Sequence, residues 1–496
     1  MKFSFKPESW AYDLIKEKRH FLIPIIILVF IICPFLSCNN KSAPPRPNII
    51  LIVADTLRAD HLGCYGYPKN ITPHLDEFAQ GSLVFENAYA PIPSTLPSHV
   101  SLMTGVYPDV HQMFDELSDF KAGHYKELNP RFPTIAENLK NIEYKNIGIV
   151  SSIWLKDRFG FNRKFDYYHR VHDPFMPSLK INKKAFQWLD WLIEEESPMF
   201  FMFLHYYDPH SDPYIKGKNN LPYYSPSAYV EQFSKGEPEI LQLQDKVDSY
   251  ATSFLVYSNL NRIKIDAAHL KSIISLYDAG IAFFDSQIGK LFSELKKKNL
   301  YDQSLIIFTS DHGEEFREHG EFIHNQTYEE NIHVPLIIKF PRGRFAGKKV
   351  KTPVQLIDIK PTLLDYLQIP VGSQVQGRSL LSLIDQNPES VNMVVSRQKV
   401  APVPGVKIYS LRDGNLKLIY NLHTRKTELY NLDTDPEEKF NIAELNEVEV
   451  ERLKAELDKF VENNRDLSNI PSEFTEDIIL NQDEIRRLKS LGYLTE

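Results

Sequence analysis

The sequence predicts an α/β protein: a doubly wound, mostly parallel sheet flanked by helices, followed by a smaller C-terminal α+β subdomain. Three observations lead there. Five runs are apolar throughout instead of alternating, helical periodicity fills intervals between them, and Asp or His side chains stand at the ends of three runs. Strands apolar on both faces belong in a sheet covered on both sides. Ligands of such sheets bind beyond the carboxyl ends of the strands.

The elements follow in order. Residues 1–37 read as a secretory or lipoprotein signal: "KEKRH" precedes an apolar run from Phe21 to Leu36, broken by Pro24 and Pro34. The run is shorter than the ~20 residues of a spanning helix. "FLSC" resembles a bacterial lipobox, making Cys38 the lipidated first residue of the mature protein; an uncleaved membrane anchor is the alternative. Residues 38–47, "CNNKSAPPRP", are a polar, Pro-rich tether. Both readings place the body in the bacterial cell envelope, membrane-anchored on the periplasmic or outer side. The catalytic domain spans 48–390. Its strands are "NIILIVAD" (Asn48 to Asp55), "NIGIV" (Asn146 to Val150), "MFFMFLH" (Met199 to His205), "SLIIFTSD" (Ser304 to Asp311) and "VPLIIKF" (Val334 to Phe340). Between them, Leu270 to Leu295 carries a helical stripe. Residues 214–268 are polar and irregular, an insertion or lid over the strand ends. Residues 391–496 form the subdomain, with short strands "KLIYNL" and "TELYNL" and two charged helices, Val448 to Asn463 and Gln482 to Leu491.

Composition excludes some classes. In 496 residues, 43% hydrophobic, there is enough apolar material for one large domain with an appended piece. The formal charge of −8 gives no reason to expect nucleic acid as a partner. Three cysteines (Cys33, Cys38, Cys64) build neither a disulfide framework nor a zinc-thiolate cluster. Cys64 reads as a small packed residue, and Lys296 to Lys298 as a solvated helix end.

Chemistry concentrates in three segments. In "PSTLPSHVSLMTG", Pro93 to Gly105, hydroxyls and His99 open a helix that Gly105 can end. "SDHGEEFREHGEFIHNQTYEE" brings Asp311 and His312 to a strand end, with His324 following; "HYYDPHSDPY" brings His205, Asp208 and His210 to another. Together with Asp55, this is a plausible ligand set for a divalent ion beside a hydroxyl. Ser94 is the rival nucleophile, one residue out of register, and Ser98 serves the helix N-terminus.

These residues carry a resemblance to the sulfatase family of the alkaline-phosphatase superfamily. It runs from "PNIILIVADTLRADHLGCYGYPKNITPHLDEFA" through "LPSHVSLMTGVYP", "FLHYYDPH", "FTSDHGEE", "TYEENIHVPLII", "QLIDIKPTLLDYL" and "GRSL" to "ELYNLDTDPEEKFNIA", nearly all of the chain beyond Pro47. The resemblance implies an alkaline-phosphatase-like fold, a metal-dependent ester hydrolase, and a nucleophile at Thr95. The departures are specific. Thr95 stands where the family has a Cys or Ser matured to formylglycine, and His99 where it has an arginine. Thr56 replaces the second of two opening aspartates, His312 an asparagine, and His324 a lysine; "VSSIWLKDRFGF" replaces a Gly-Lys-x-His motif.

With one carboxylate lost and an imidazole gained, the implied site of Asp55, Thr95, Asp311 and His312 favours Zn²⁺ or Mn²⁺, with Ca²⁺ the alternative. A bare threonine hydroxyl is protonated at neutral pH, so a divalent ion is expected to activate it. In this reading Thr95 attacks phosphorus or sulfur in line. His210 or His324 protonates the leaving oxygen or binds non-bridging oxygens, and Thr56, His99 and His205 contact substrate. One ion is expected; a second at Asp208, His210 and His324 is the alternative. The expected partners are a sulfate- or phosphate-ester small molecule, glycan or lipid head group, and a membrane through the N-terminal anchor. Threonine favours a phosphate or phosphonate ester, because a sulfo-threonine lacks the elimination route of a formylglycine hydrate. Two other readings stand beside hydrolysis: a membrane-side phosphotransferase on lipid or glycan, and a non-catalytic lipoprotein binding an anionic ligand.

Overall fold

Apolar residues at successive positions can all be buried only if a strand is covered on both faces, and Ile49–Ala54 (β1) is built that way. Ile49, Leu51 and Val53 join one core cluster and Ile50, Ile52 and Ala54 another, on the opposite face. The computed structural model describes residues 46–114, 124–173, 175–196, 199–211, 222–233, 253–384, 393–399, 406–469 and 477–479. The signal segment, Cys38, most of the tether and the helix expected at Gln482 to Leu491 lie outside them. Among the described residues no helix is long and apolar enough to cross a membrane.

Besides β1, the main sheet contains Leu83–Tyr89 (β2), Lys145–Val150 (β3), Tyr167–Arg170 (β4), Phe200–Tyr206 (β5), Leu305–Ser310 (β6) and His333–Lys339 (β7). Their spatial order is β2-β7-β6-β1-β5-β3-β4, with Lys349–Val350 and Val354–Gln355 pairing with β2. β1 pairs in parallel with both β5 and β6, so Ala54 faces Tyr206 on one side and Ser310 on the other. The order of the strands therefore turns at β1, and the crevice for a ligand lies past its carboxyl end.

The expectation of a parallel strand at "VPLIIKF" is corrected: β7 runs antiparallel to both β6 and β2. The cause is local. After β6 the chain stays at the carboxyl edge of the sheet, through Asp311 to Ile332, and so enters β7 from the edge it has just left. β2 and β4 escape the apolar-run criterion because "LVFENAY" is polar in the middle and "YYHR" is a half-buried edge strand.

Thr95–Thr104 (α2) packs on one side of the sheet and Pro73–Gln80 (α1), Pro177–Glu194 (α3) and Ala267–Lys297 (α4) on the other. The long α4 starts where Asp266 accepts hydrogen bonds from the amides of Ala268 and His269. Of the expected lid, 214–221 and 234–252 lie outside the described residues. Ser227–Phe233 packs on α4, where Tyr229 meets Phe283 at 5.5 Å, and Asn259 exchanges hydrogen bonds with the Phe322 backbone.

The C-terminal part is a four-stranded antiparallel sheet of Met393–Arg397, Ile408–Asp413, Leu416–Asn421 and Thr427–Asn431. Glu447–Ser468 (α5) lays Val450, Leu453 and Leu457 onto it. Hydrogen bonds tie this sheet to the main body: Ser396 Oγ donates to the Ala90 carbonyl at 2.6 Å and Arg397 N to that of Pro91 at 2.8 Å.

Candidate active site

Register alone puts two carboxylates side by side. Ala54 of β1 pairs with Ser310 of β6, so the next residues, Asp55 and Asp311, leave adjacent strand ends together. Both are fully buried. The backbone turns sharply at Thr56, a β-branched residue at φ +56°. Such a conformation costs about 1–3 kcal/mol and persists only where its surroundings enforce it. Here Thr56 N donates to Asp311 Oδ1 at 3.2 Å and its carbonyl accepts from the Tyr277 hydroxyl at 2.7 Å. Asp311 Oδ1 also accepts from the His312 amide at 2.9 Å, which leaves Oδ2 beside His99 and His312. Gly313 is obligatory: a Cβ there would stand 1.9 Å from the Glu330 carbonyl oxygen.

The third wall is α2. Ser94 is its extended N-cap and Thr95 its first residue, and all ten residues of the helix are buried. Gly105 at φ +71° terminates it as expected, and Lys360 Nζ donates to the Thr104 carbonyl at 3.1 Å. Ser98 takes a different role from the expected one. Its hydroxyl donates to the Asp311 carbonyl at 2.7 Å, locking the helix to the end of β6.

Electrostatics at this junction are unusual. Burial drives the Asp55 carboxyl well above its ordinary range, against the pull of the Thr95 hydroxyl and the Lys399 ammonium. Burial and the charge of Asp55 do the same to Asp311. Burial holds the imidazoles of His205 and His312 down at about 3, and those of His99, His210 and His324 well below the usual value. Burial also raises Asp208 to about 7. The imidazoles are therefore neutral donors or ligands at neutral pH.

That arrangement fits a divalent ion. His312 Nδ1 lies 3.0 Å from the Gly313 carbonyl, a bond that fixes the proton on Nδ1 and presents Nε2 as a lone pair. Nε2 stands 3.5 Å from Asp311 Oδ2 and 3.8 Å from Asp55 Oδ1. Ligands about 2.0–2.1 Å from a tetrahedral ion are separated by about 3.3–3.4 Å. Both Asp55 oxygens, Asp311 Oδ2 and His312 Nε2 are buried without a well-formed hydrogen bond. Asp55, Asp311 and His312, three of the four expected metal residues, thus converge within 4.8 Å, and the Thr95 hydroxyl adjoins Asp55.

The other expected residues divide. His99 and His205 join Asp311 in a second group of ligating atoms within 4.8 Å. His205 Nε2 is 3.3 Å from Asp55 Oδ2, and His99 Nδ1 is 2.8 Å from the Thr95 carbonyl and 3.4 Å from Asp311 Oδ2. His210 and His324 face each other with ring centroids 5.6 Å apart, and His324 lies 4.3 Å from the His312 ring. The alternative second ion site at Asp208, His210 and His324 is not assembled. Among the described residues these three do not converge within 4.8 Å, and Asp208 Oδ1 accepts from Ser178 Oγ at 2.6 Å.

Two residues enter that the sequence reading missed. Glu314 is fully buried, raised by burial, and 3.4 Å from His324 Nδ1. Its signal was position: three residues after Asp311, on the turn that Gly313 starts. Lys399 comes from the C-terminal sheet, where no motif marks it.

A mixed sheet whose central strand ends hold paired carboxylates, opposite a hydroxyl on the first turn of a helix, defines an ester hydrolase of alkaline-phosphatase-like fold. The sulfatase family model matches residues 47–369, and that of the N-sulphoglucosamine sulphohydrolase C-terminal region matches 317–466. The chain belongs to the sulfatase family. The ulvan-active sulfatase of Formosa agariphila is 26% identical over 476 residues, covering 88% of this chain and 86% of that protein. The arylsulfatase of Clostridium perfringens is 25% identical over 493 residues, covering 86% and 98%. The solved phosphonate monoester hydrolase of Agrobacterium radiobacter superposes with TM-score 0.65 at 20% identity, covering 88% of this chain and 97% of its own. A structure in complex with its substrate D-glucosamine-2-N,6-O-disulfate gives 0.62 at 20% identity, covering 86% and 99%.

Proposed function

We propose that this hydrolase cleaves a phosphate or phosphonate ester with Thr95 as nucleophile and one divalent ion as cofactor. The observation that supports it is the Thr95 hydroxyl next to Asp55 at the edge of the buried Asp55–Asp311–His312 group. Those three residues and Thr95 would hold the ion, which supplies Lewis acidity that favours release of the hydroxyl proton. Helix α2 presents Thr95 on its first turn, where the helix dipole favours an anionic group. Thr95 Oγ forms the bond to phosphorus while the bond to the leaving oxygen breaks. The departing oxygen takes a proton from the Glu314–His324 pair, whose carboxyl retains its proton because burial raises it. Water then opens the phospho-threonine. His99 positions the nucleophile through its Nδ1 contact to the Thr95 carbonyl.

A sulfate ester on a glycan is the second reading. Family membership favours it, together with the ulvan-active relative and the sugar-disulfate complex. Anchoring in a bacterial envelope through Cys38 belongs to this proposal and extends it toward cell-surface glycans or lipid head groups. Parallel assays of aryl sulfate, phosphate monoester, phosphate diester and phosphonate monoester decide the substrate. Phosphorus esters turning over fastest is the expected result, and sulfate turnover far above the others replaces it with the second reading. Transfer to an added alcohol identifies a phosphotransferase. Ligand binding with no cleavage of any ester identifies a binding protein.

A further inference from the structure

Four successive backbone amides follow the end of β1, and a different group catches each of them. Asp55 N donates to the Tyr206 carbonyl at 2.8 Å, Thr56 N to Asp311 Oδ1 at 3.2 Å, Leu57 N to Ser310 Oγ at 2.9 Å and Arg58 N to the Tyr277 hydroxyl at 3.0 Å. The first three partners belong to the neighbouring strand ends. Tyr277 comes instead from within α4, and its hydroxyl also donates to the Thr56 carbonyl at 2.7 Å. Its two bonds bracket Leu57 and close the turn that begins at Thr56. Tyr277 is fully buried, its ring held by those of His61 and Phe316 at 5.0 Å and of Tyr223 at 5.3 Å. The next residue of α4, Asp278, lies 2.9 Å from His61 Nδ1 and accepts from the Tyr67 hydroxyl, so the helix grips the chain beyond the turn as well. Without such a hold, a threonine at φ +56° relaxes to negative φ. Asp55, the residue before it, is drawn along, because two buried carboxyl groups resist being held together.

We propose that Tyr277 is a positioning residue of the ion site: by holding Thr56 in the left-handed region, its hydroxyl keeps the Asp55 carboxyl group beside Asp311 and His312 before an ion arrives. The inference rests on the ion-dependent hydrolase reading above and deepens it. A helix hydroxyl whose two bonds go only to backbone sets how tightly the ion is held. The physical basis is preorganisation: a scaffold that has already brought the ligands together leaves less to be done on binding. Groups that fix a ligand's orientation from behind typically change ion affinity by about 10- to 100-fold.

The test compares wild type, Tyr277→Phe, Thr56→Gly and the double variant as full chains. Zn²⁺ and Mn²⁺ binding are measured by calorimetry without substrate, melting temperature in chelator and in ion, and hydrolysis of the best ester in parallel. Phenylalanine keeps the ring contacts and loses both bonds, while glycine takes a positive φ without steric cost. Tyr277→Phe is expected to weaken ion binding by about 10- to 100-fold and to shrink the ion-dependent rise in melting temperature. In the Thr56→Gly background the same change should cost severalfold less, because the turn has no strain to release. Equal ion affinity in wild type and Tyr277→Phe, with hydrolysis intact, overturns this inference and leaves the hydrolase reading standing. So does a lower melting temperature in chelator with the full ion-dependent rise retained, the signature of a merely structural tyrosine. A loss of equal size in both backgrounds also overturns it, since the hydroxyl then does not act through Thr56. Should Tyr277→Phe fail to fold, a double variant that folds and binds the ion sustains the inference, and one that also fails overturns it. Tyr277-dependent ion binding without cleavage of any ester sustains it and removes the hydrolase reading; wild type that binds neither ion overturns both.

Discussion

Replacing Asp311 by asparagine should change stability in opposite directions with and without the ion. Asparagine keeps the acceptor that receives the amides of Thr56 and His312, and places an amide where Oδ2 faces Asp55 and His312. Two carboxylates within 4.8 Å repel by about 3 kcal/mol at an effective dielectric of about 20. Proton uptake relieves part of that, so the ion-free variant gains about 1–3 kcal/mol over ion-free wild type. Unfolding entropy of about 2.1 cal/mol/K per residue over about 450 residues makes 1 kcal/mol worth about 1 °C. The variant should therefore melt about 1–3 °C higher in chelator. Wild type given ion at a hundredfold excess over its Kd gains about 2.7 kcal/mol, or about 3 °C, and Asp311→Asn gains little of it. Thermal unfolding in chelator and in Zn²⁺ or Mn²⁺ reads both. A variant that melts lower in chelator and keeps the full ion-dependent rise would refute the ion-site reasoning.

The remaining predictions follow from the same geometry. Thr95→Ala should lower kcat/KM by about 10³-fold or more, while Thr95→Ser keeps measurable turnover and Ser94→Ala leaves turnover standing; activity retained by Thr95→Ala moves the role to Ser94. Glu314→Gln should cost about 10²- to 10⁴-fold with alkyl esters and much less with nitrophenyl esters, whose leaving groups need no proton, a contrast read from a series of leaving groups. Asp208, raised to about 7 by burial, stays protonated in the native state while the unfolded chain releases its proton near 4. Wild-type stability therefore falls as pH rises from about 4 to 7 and then levels. Asp208→Asn lacks that loss, so its stability advantage by denaturant titration should be absent near pH 4 and fullest above pH 7.

Much of the fold was legible because it is written in contiguous runs. "NIILIVAD" and "SLIIFTSD" carry no alternation, so both faces must be covered, and β1 and β6 are central strands. The direction of β7 was not legible, since apolarity does not encode polarity of pairing; it depends on where Asp311 to Ile332 leaves the chain. β2 was invisible because Glu86 and Asn87 interrupt its pattern. At the site, Asp55, Asp311 and His312 could be read from strand ends, and register explains why they meet. The strain at Thr56 depends on bonds to Tyr277 and Asp311, 221 and 255 residues away in sequence, which no local pattern reports. Asp208 and His210 are near neighbours in the chain, yet among the described residues they and His324 do not bring ligating atoms within 4.8 Å of one another, a spacing that tertiary packing sets and local sequence does not.

The most direct test of the account is to quench the ion-replete protein in acid during turnover of a slow ester and weigh the peptides. A phosphoryl or sulfuryl increment on Thr95, present with the ion and lost in chelator, is the predicted result. The same increment on Ser94 or His210, or one that forms on Thr95 regardless of the ion, contradicts it.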